Sequence, residues 1–284
     1  MKNYLLLLVL IGCGSQSVNN QMVNSFEATP IKVPLKPGII DEASGMANCR
    51  TVANSLWVVQ DSGNPPELAL LNYNGSVAGK MSLPEVQNRD WEDLASGQID
   101  GQNYLFIADI GDNDAKHELS YIYKLPEPKS LGERISKIDR ITFKYPDGKR
   151  DAETLLFDPI TKDLLIVSKR EASVRVYRLA YPQATNATLT AELVATLPYT
   201  FITAGSVSSD GSELILKNYS TVYYWPRNAS QTVGEALKNK AAQLPYIVEP
   251  QGESVCFDKT NAGYFTLSER ANAPQVSLNF YQRK

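Results

Sequence analysis

DWEDLASGQIDGQNYLFIAD, residues Asp90 to Asp109, holds a pattern that recurs along the chain. A short acidic element, Asp90-Trp91-Glu92-Asp93-Leu94, leads through a turn into Tyr104–Asp109, a run of strongly β-prone residues. Four more segments open in the same way: Glu42-Ala43-Ser44-Gly45-Met46, Asp151-Ala152-Glu153-Thr154-Leu155, Thr203-Ala204-Gly205-Ser206-Val207 and Gln251-Gly252-Glu253-Ser254-Val255. With Ser44, Glu92, Glu153, Gly205 and Glu253 as equivalents, the steps are 48, 61, 52 and 48 residues. Steps of that size lie at the long end of the period of propeller blades.

Each opening is followed by a second strand: Ser55–Gln60, Tyr104–Asp109, Asp163–Ser168, Glu213–Lys217 and Gly263–Leu267. Third strands read as ELALLNY, SYIYKL, VRVYRL, TVYYW and VSLNFY, and fourth strands as SVAGKMSL, DRITFKY, ELVATL and AAQLPYI. The fifth repeat has no fourth strand of its own, and Phe26–Leu35 near the start is the segment available to supply it. The sequence therefore predicts an all-β chain: a five-bladed β-propeller over residues 26–284, closed by an N-terminal strand. A two-sheet sandwich would explain the strands but not the period. Thr232–Lys240 reads as a short surface helix before the last strand of blade four.

Composition agrees. Of 284 residues, 15 are Tyr, 17 Gly and 16 Pro, which favours strands and turns. The formal charge of -3 argues against nucleic acid as a partner. One His, His117, in a polar loop, makes a His-based zinc site or triad a poor expectation. Lys2 followed by the apolar run Tyr4–Ile11, ending in Leu10-Ile11-Gly12-Cys13, resembles a bacterial lipoprotein leader. Residues 1–12 are then a signal peptide, Cys13 the lipidated residue and 13–25 a polar tether. The expected location is the bacterial cell envelope, periplasmic or surface-exposed, with the lipid as the sole membrane contact and the protein a monomer. Cys49 and Cys256 fall in the first strands of blades one and five, neighbours on closure; a disulfide and two buried thiols are both open.

Propeller geometry brings the starts of the first strands and the loops between strands two and three to one face. That face collects many carboxylates around a narrow channel, where they must protonate or take up a cation. An all-oxygen set without Cys or His favours calcium. The expected metal ligands are Ser44, Glu92, Glu153, Ser206 and Glu253. The expected ligand-binding residues are Asp61, Asp109, Asp112, Asn113, Lys169, Arg170, Lys217 and Arg270, the basic ones suited to clamping a small anion. The same basic side chains are also available as salt-bridge partners of the acids.

DWEDLA (Asp90–Ala95), ADIGDN (Ala108–Asn113), DAETL (Asp151–Leu155), SKRE (Ser168–Glu171), ITAGSVSSDG (Ile202–Gly211) and QGES (Gln251–Ser254) together resemble a widespread group of bacterial secreted propellers without an agreed activity. Ser206 and His117 depart from that group's pattern, an acidic residue and an arginine respectively. More distantly, the series Ser44, Glu92, Glu153, Ser206, Glu253 is similar to the calcium site of five-bladed calcium-activated apyrases, and phytase-like propellers stand equally far off. The resemblance implies a propeller with a central calcium. Three functions are open on this reading: a binding protein for a small anionic ligand or an envelope protein, a metal-dependent phosphoester or nucleotide hydrolase, and a scaffold in an envelope complex.

Overall fold

The computed structural model describes residues 22–135 and 137–284. The leader, Cys13 and most of the tether lie outside the described residues. Strand β1 (Ile31–Pro34) comes first, and blade one follows as β2 (Ala43–Asn48), β3 (Ser55–Gln60), β4 (Glu67–Asn72) and β5 (Val77–Ser82). Blade two is β6 (Trp91–Ile99), β7 (Gln102–Asp109), β8 (Ser120–Pro126) and β9 (Asp139–Lys144). Blade three is β10 (Ala152–Phe157), β11 (Leu164–Ser168), β12 (Val174–Leu179) and, after the short β13 (Thr188–Thr190), β14 (Glu192–Leu197). Blade four is β15 (Ile202–Val207), β16 (Glu213–Asn218), β17 (Val222–Pro226) and β18 (Ala242–Leu244), with helix α1 (Val233–Leu237) before its last strand. Blade five is β19 (Gln251–Phe257), β20 (Gly263–Glu269) and β21 (Ser277–Gln282).

The first strands β2, β6, β10, β15 and β19 pack side by side around the axis, and β19 returns to β2. The ring is closed by β1, which pairs antiparallel with β21 and places Ile31 opposite Phe280. Closure leaves no open seam of backbone hydrogen bonds. Met22 and Phe26 add single bridges, to Gln243 and Arg283. Blade two carries a fifth strand, because β13 pairs parallel to β9 along its outer edge.

Strand alternation puts apolar side chains on both faces of every blade, so each interface between blades has its own core. Trp57, Trp91 and Tyr123 fill the one between blades one and two. Phe106, Phe157 and Tyr177 fill the next. Trp225 shares the third with Val233, Ala236 and Leu237 of α1. That helix is short, and a capping box between Thr232 and Glu235 satisfies its first turn. Phe257, Tyr264 and Tyr281 serve blades four and five, and Met46, Leu71 and Phe265 the last interface. Polar ties reinforce these seams. Arg227 of blade four holds Asp158 of blade three in a bidentate pair, 2.8 Å at both contacts, with both side chains buried. Removing one partner of such a pair costs about 3–5 kcal/mol.

Cys49 and Cys256 are free and buried. They belong to different interface cores, Cys49 between blades one and two and Cys256 between blades five and one. Burial pushes both thiols up, Cys256 strongly. His117 lies on the surface, and its backbone N–H donates to Asp112 Oδ2 at 2.7 Å.

Candidate functional site: an acidic mouth on the central channel

The inner strands share one irregularity. In each, the pairing with the second strand slips by one residue near its start, and the residues left unpaired are Ser44, Glu92, Glu153, Thr203 and Glu253. A β-bulge of this kind frees a residue from the ladder and re-aims its side chain. Five bulges at one height therefore ring the mouth of the channel. The spacing along the chain becomes 48, 61, 50 and 50 residues. In blade four the ring position belongs to Thr203, not Ser206.

The ring divides by chemistry. The two hydroxyl residues close seams: Ser44 Oγ donates to the Trp91 carbonyl at 2.7 Å and Thr203 Oγ1 to the Gly252 carbonyl at 3.2 Å. The three glutamates line an open basin of about 400 Å³, together with Asp61, Asn113, Lys169, Arg170, Tyr219 and Gln251. Lys169 reaches across and forms an ion pair with Glu153, with Glu253 at 3.8 Å. Burial works against its ammonium, but the charges of Glu153 and Glu253 outweigh it and hold its pKa up. Tyr219 donates its hydroxyl to Glu253 Oε1 at 2.7 Å. Arg170 pairs through Nε with Asp151 at 2.5 Å and through one terminal nitrogen with Asn113.

The blade-one and blade-two side of the basin is different. Carboxylate oxygens of Asp61, Asp90 and Glu92 lie within 4.8 Å of one another, and a second trio joins Glu92 to Asp151 and Glu153. No basic side chain among the described residues pairs with Asp61, Asp90 or Glu92. Glu92 is 6% exposed and accepts no hydrogen bond from any described residue. Burial first, then the charges of Glu153, Asp61 and Asp90, push its pKa well up against the weaker pull of the Lys169 ammonium, which forms no ion pair with it. Burial and the neighbouring Asp61 raise Asp90 to about 6. Gly111 makes the crowding feasible, because a Cβ there would overlap the carboxylates of Glu92 and Asp90. Behind the rim, Glu269 is raised to about 9 by burial and by Glu253, and its Oε1 is buried without a partner.

The other expected residues lie elsewhere. Ser206 sits deeper in the channel, where its Oγ accepts from the Phe257 N–H at 3.2 Å. It lines a separate space of about 40 Å³ with Met46, Leu94, Leu155 and Cys256. Asp109 is buried beneath the rim, where its Oδ1 accepts from the Asp90 N–H at 3.1 Å and faces Arg89 at 3.5 Å. Asp112 binds the N–H groups of Lys116 and His117, at 2.8 and 2.7 Å, and shapes its own loop. Lys217 is fully buried, bonded to the Gly252 carbonyl and 4.6 Å from the Tyr246 ring centre; burial lowers it to about 8 against the pull of Glu249. Arg270 pairs with Asp41 at 2.6 Å outside the basin. Position along the blade brings Asp109, Asp112, Lys217 and Arg270 to the correct face. Face alone does not say whether a side chain turns to the axis or into a seam between blades. Asp90, Gly111, Tyr219 and Glu269 stood in the same motifs without an assigned role.

No family model matches the chain, and no curated protein matches it. Solved structures that align with it include a chain of the nidogen–laminin complex, at 9% identity over 80% of this chain and 72% of that one, TM-score 0.47. A chain of the mitotic checkpoint complex aligns at 11% identity over 84% of this chain and 63% of that one, TM-score 0.41. The five-bladed ring rests on the strand pairing itself.

Proposed function

We propose that the mouth of the channel is a calcium site and that the face around it binds a small anionic ligand, in a protein held in the bacterial envelope by the lipid its leader implies. The observation that carries the reading is Glu92, a buried carboxylate aimed into an open basin without a partner. A lone buried carboxylate is costly, and either a proton or a cation relieves it. Lys169 serves that role for Glu153 and Glu253. Asp61, Asp90 and Glu92 have no ion-pair partner among the described residues, and a cation from solution is the relief proposed for them.

The donor set fits. It is all oxygen, it comes from two blades and the loops above them, and calcium accepts roughly six to eight oxygens in flexible arrangements. Asp61, Asp90 and Glu92 would hold the ion, with Asp151 and Glu153 next to it. When bound, calcium supplies positive charge at the basin floor. Arg170 adds a second positive group at the edge, so an anion entering the basin meets two attractive centres. Asp61 is tied down through its N–H to the Glu42 carbonyl at 3.0 Å, and Asn113 through its side-chain oxygen to Arg170.

Calorimetry with calcium at neutral pH tests this. The wild-type chain should bind one calcium, and Glu92→Gln should weaken it by about a hundredfold, since affinity in oxygen sites follows the charge of the ligands. The chelated Glu92→Gln protein should be no less stable than wild type. No calcium uptake by the wild type, or equal affinity in the variant, would leave a ring of acids neutralised internally and favour the scaffold. In the same preparations, the full-length chain should sediment with membranes and a Cys13→Ala chain should not; equal sedimentation removes the anchor.

A further inference from the structure

The side of the mouth opposite the acids carries a feature that charge does not explain. Phe201, between β14 and β15, is 44% exposed and has φ +54. Among the described residues seven other than glycine have positive φ, and Phe201 is the sole aromatic. A bulky side chain in that region is strained and persists only where its surroundings impose it. The imposing contact is a backbone hydrogen bond: the Phe201 N–H donates to the carbonyl of Lys169 at 2.7 Å, the residue that bridges Glu153 and Glu253. The strain gains nothing for the core, because the ring points to solvent.

Beside it stands Tyr219, its ring centre 6.5 Å from that of Phe201 at 44°. Tyr219 is itself fixed, by its hydrogen bond to Glu253 and by the Lys169 ammonium 5.7 Å from its ring centre. Tyr219 is thus fixed on the wall of the basin at its blade-four edge, and Phe201 stands beside it outside the lining, its backbone tied to Lys169. Across from them are Asp61, Asp90 and Glu92. Between them, on blade three, Arg170 uses Nε and one terminal nitrogen on Asp151 and Asn113, and its other terminal nitrogen makes no hydrogen bond to any described residue.

We propose that Phe201 and Tyr219 form a shelf for a ring on the ligand, so that the site takes a small compound with an aryl or sugar ring bearing an anionic oxygen group. The ring lies on the shelf, and the anion turns to Arg170 and the cation. A basin of about 400 Å³ holds a molecule of that size. This inference rests on the calcium reading.

The test compares phenyl phosphate, glucose 1-phosphate and methyl phosphate on calcium-saturated protein by calorimetry. At least one ring compound should bind about tenfold tighter than methyl phosphate, a gain of the size rigid aromatic contacts give. Whichever does so identifies the ring. Phe201→Asn should abolish that preference, leave calcium affinity unchanged and keep or raise the thermal midpoint, because Asn tolerates positive φ far better than Phe. A ring preference that survives Phe201→Asn, or its absence in the wild type, overturns the shelf. So does a variant that melts lower yet keeps the preference, which would make Phe201 structural. Calcium failing to bind in the prior titration sinks the cation reading and this one together. Calcium binding without ring preference sinks this one alone.

Discussion

At the mouth of the channel the five inner strands present Ser44, Glu92, Glu153, Thr203 and Glu253. A few residues further along, the same strands present Met46, Leu94, Leu155, Ser206 and Cys256. Ladder pairing explains the contrast. In the deep half every residue is locked opposite a partner, so its side chain is chosen by packing against the next blade. At the bulge one residue per strand escapes the ladder, and its side chain is released from that duty. Chemistry at the axis is concentrated where the pairing slips.

The sharpest way to break this contrast is in the deep half. Leu155 is buried in the core between blades two and three. Leu155→Ala should cost about 2–5 kcal/mol in urea unfolding, with calcium affinity unchanged. A large loss of affinity would mean that the halves are not separate. A smaller effect is expected from Gly111→Ala at the mouth. The added Cβ meets only the ends of two carboxylates, which can swing aside. Calcium affinity should fall by about tenfold while stability moves by less than about 1 kcal/mol. Unaltered affinity would take Glu92 and Asp90 out of the site.

The smallest expected effect is on pH dependence. Asp90 is raised to about 6 by burial and then by Asp61, and Glu92 is pushed well up by burial and then by Glu153. A carboxyl whose folded value lies above its unfolded one stabilises the fold fully below the unfolded value. That contribution disappears as pH rises through the folded value. Chelated protein should therefore lose a few degrees of thermal midpoint from about pH 4 to beyond pH 6. Calcium should flatten the slope by pairing with the ionised groups. A chelated midpoint that climbs over that window would show that these carboxylates are not strained by one another.

Strand content, blade number and the N-terminal closing segment were legible in the sequence because β-prone runs and a recurrent opening survive in every blade. The helix before β18 was legible as well, although it is shorter than Thr232–Lys240. The fifth strand of blade two was not, since Thr188–Thr190 lacks a pattern of its own and pairs only because the blade-three loop passes that edge. Within the site, Glu92, Glu153 and Glu253 were found by repeat position. Blade four is ambiguous by residue type: Gly205-Ser206 resembles the small pair Ser44-Gly45, whereas equal spacing to Glu153 and Glu253 picks out Thr203. A slip of one residue in pairing leaves no mark in composition. Lys217, Asp109 and Arg270 were placed on the correct face and then turn into seams, a choice made by side-chain packing alone.

The pairing of β1 with β21 also sets a schedule. Ile31–Pro34 is made before every other strand of the ring and its partner Ser277–Gln282 after them all, so all five blades must exist before the clasp can shut. Until then blade five lacks its outer strand and the ring has two raw edges, each able to recruit a stranger's strand. A contact spanning so much of the sequence forms slowly. The interval between synthesis and closure is when this protein is most exposed to misassembly, and a helper that shields an unfinished edge would act in that interval.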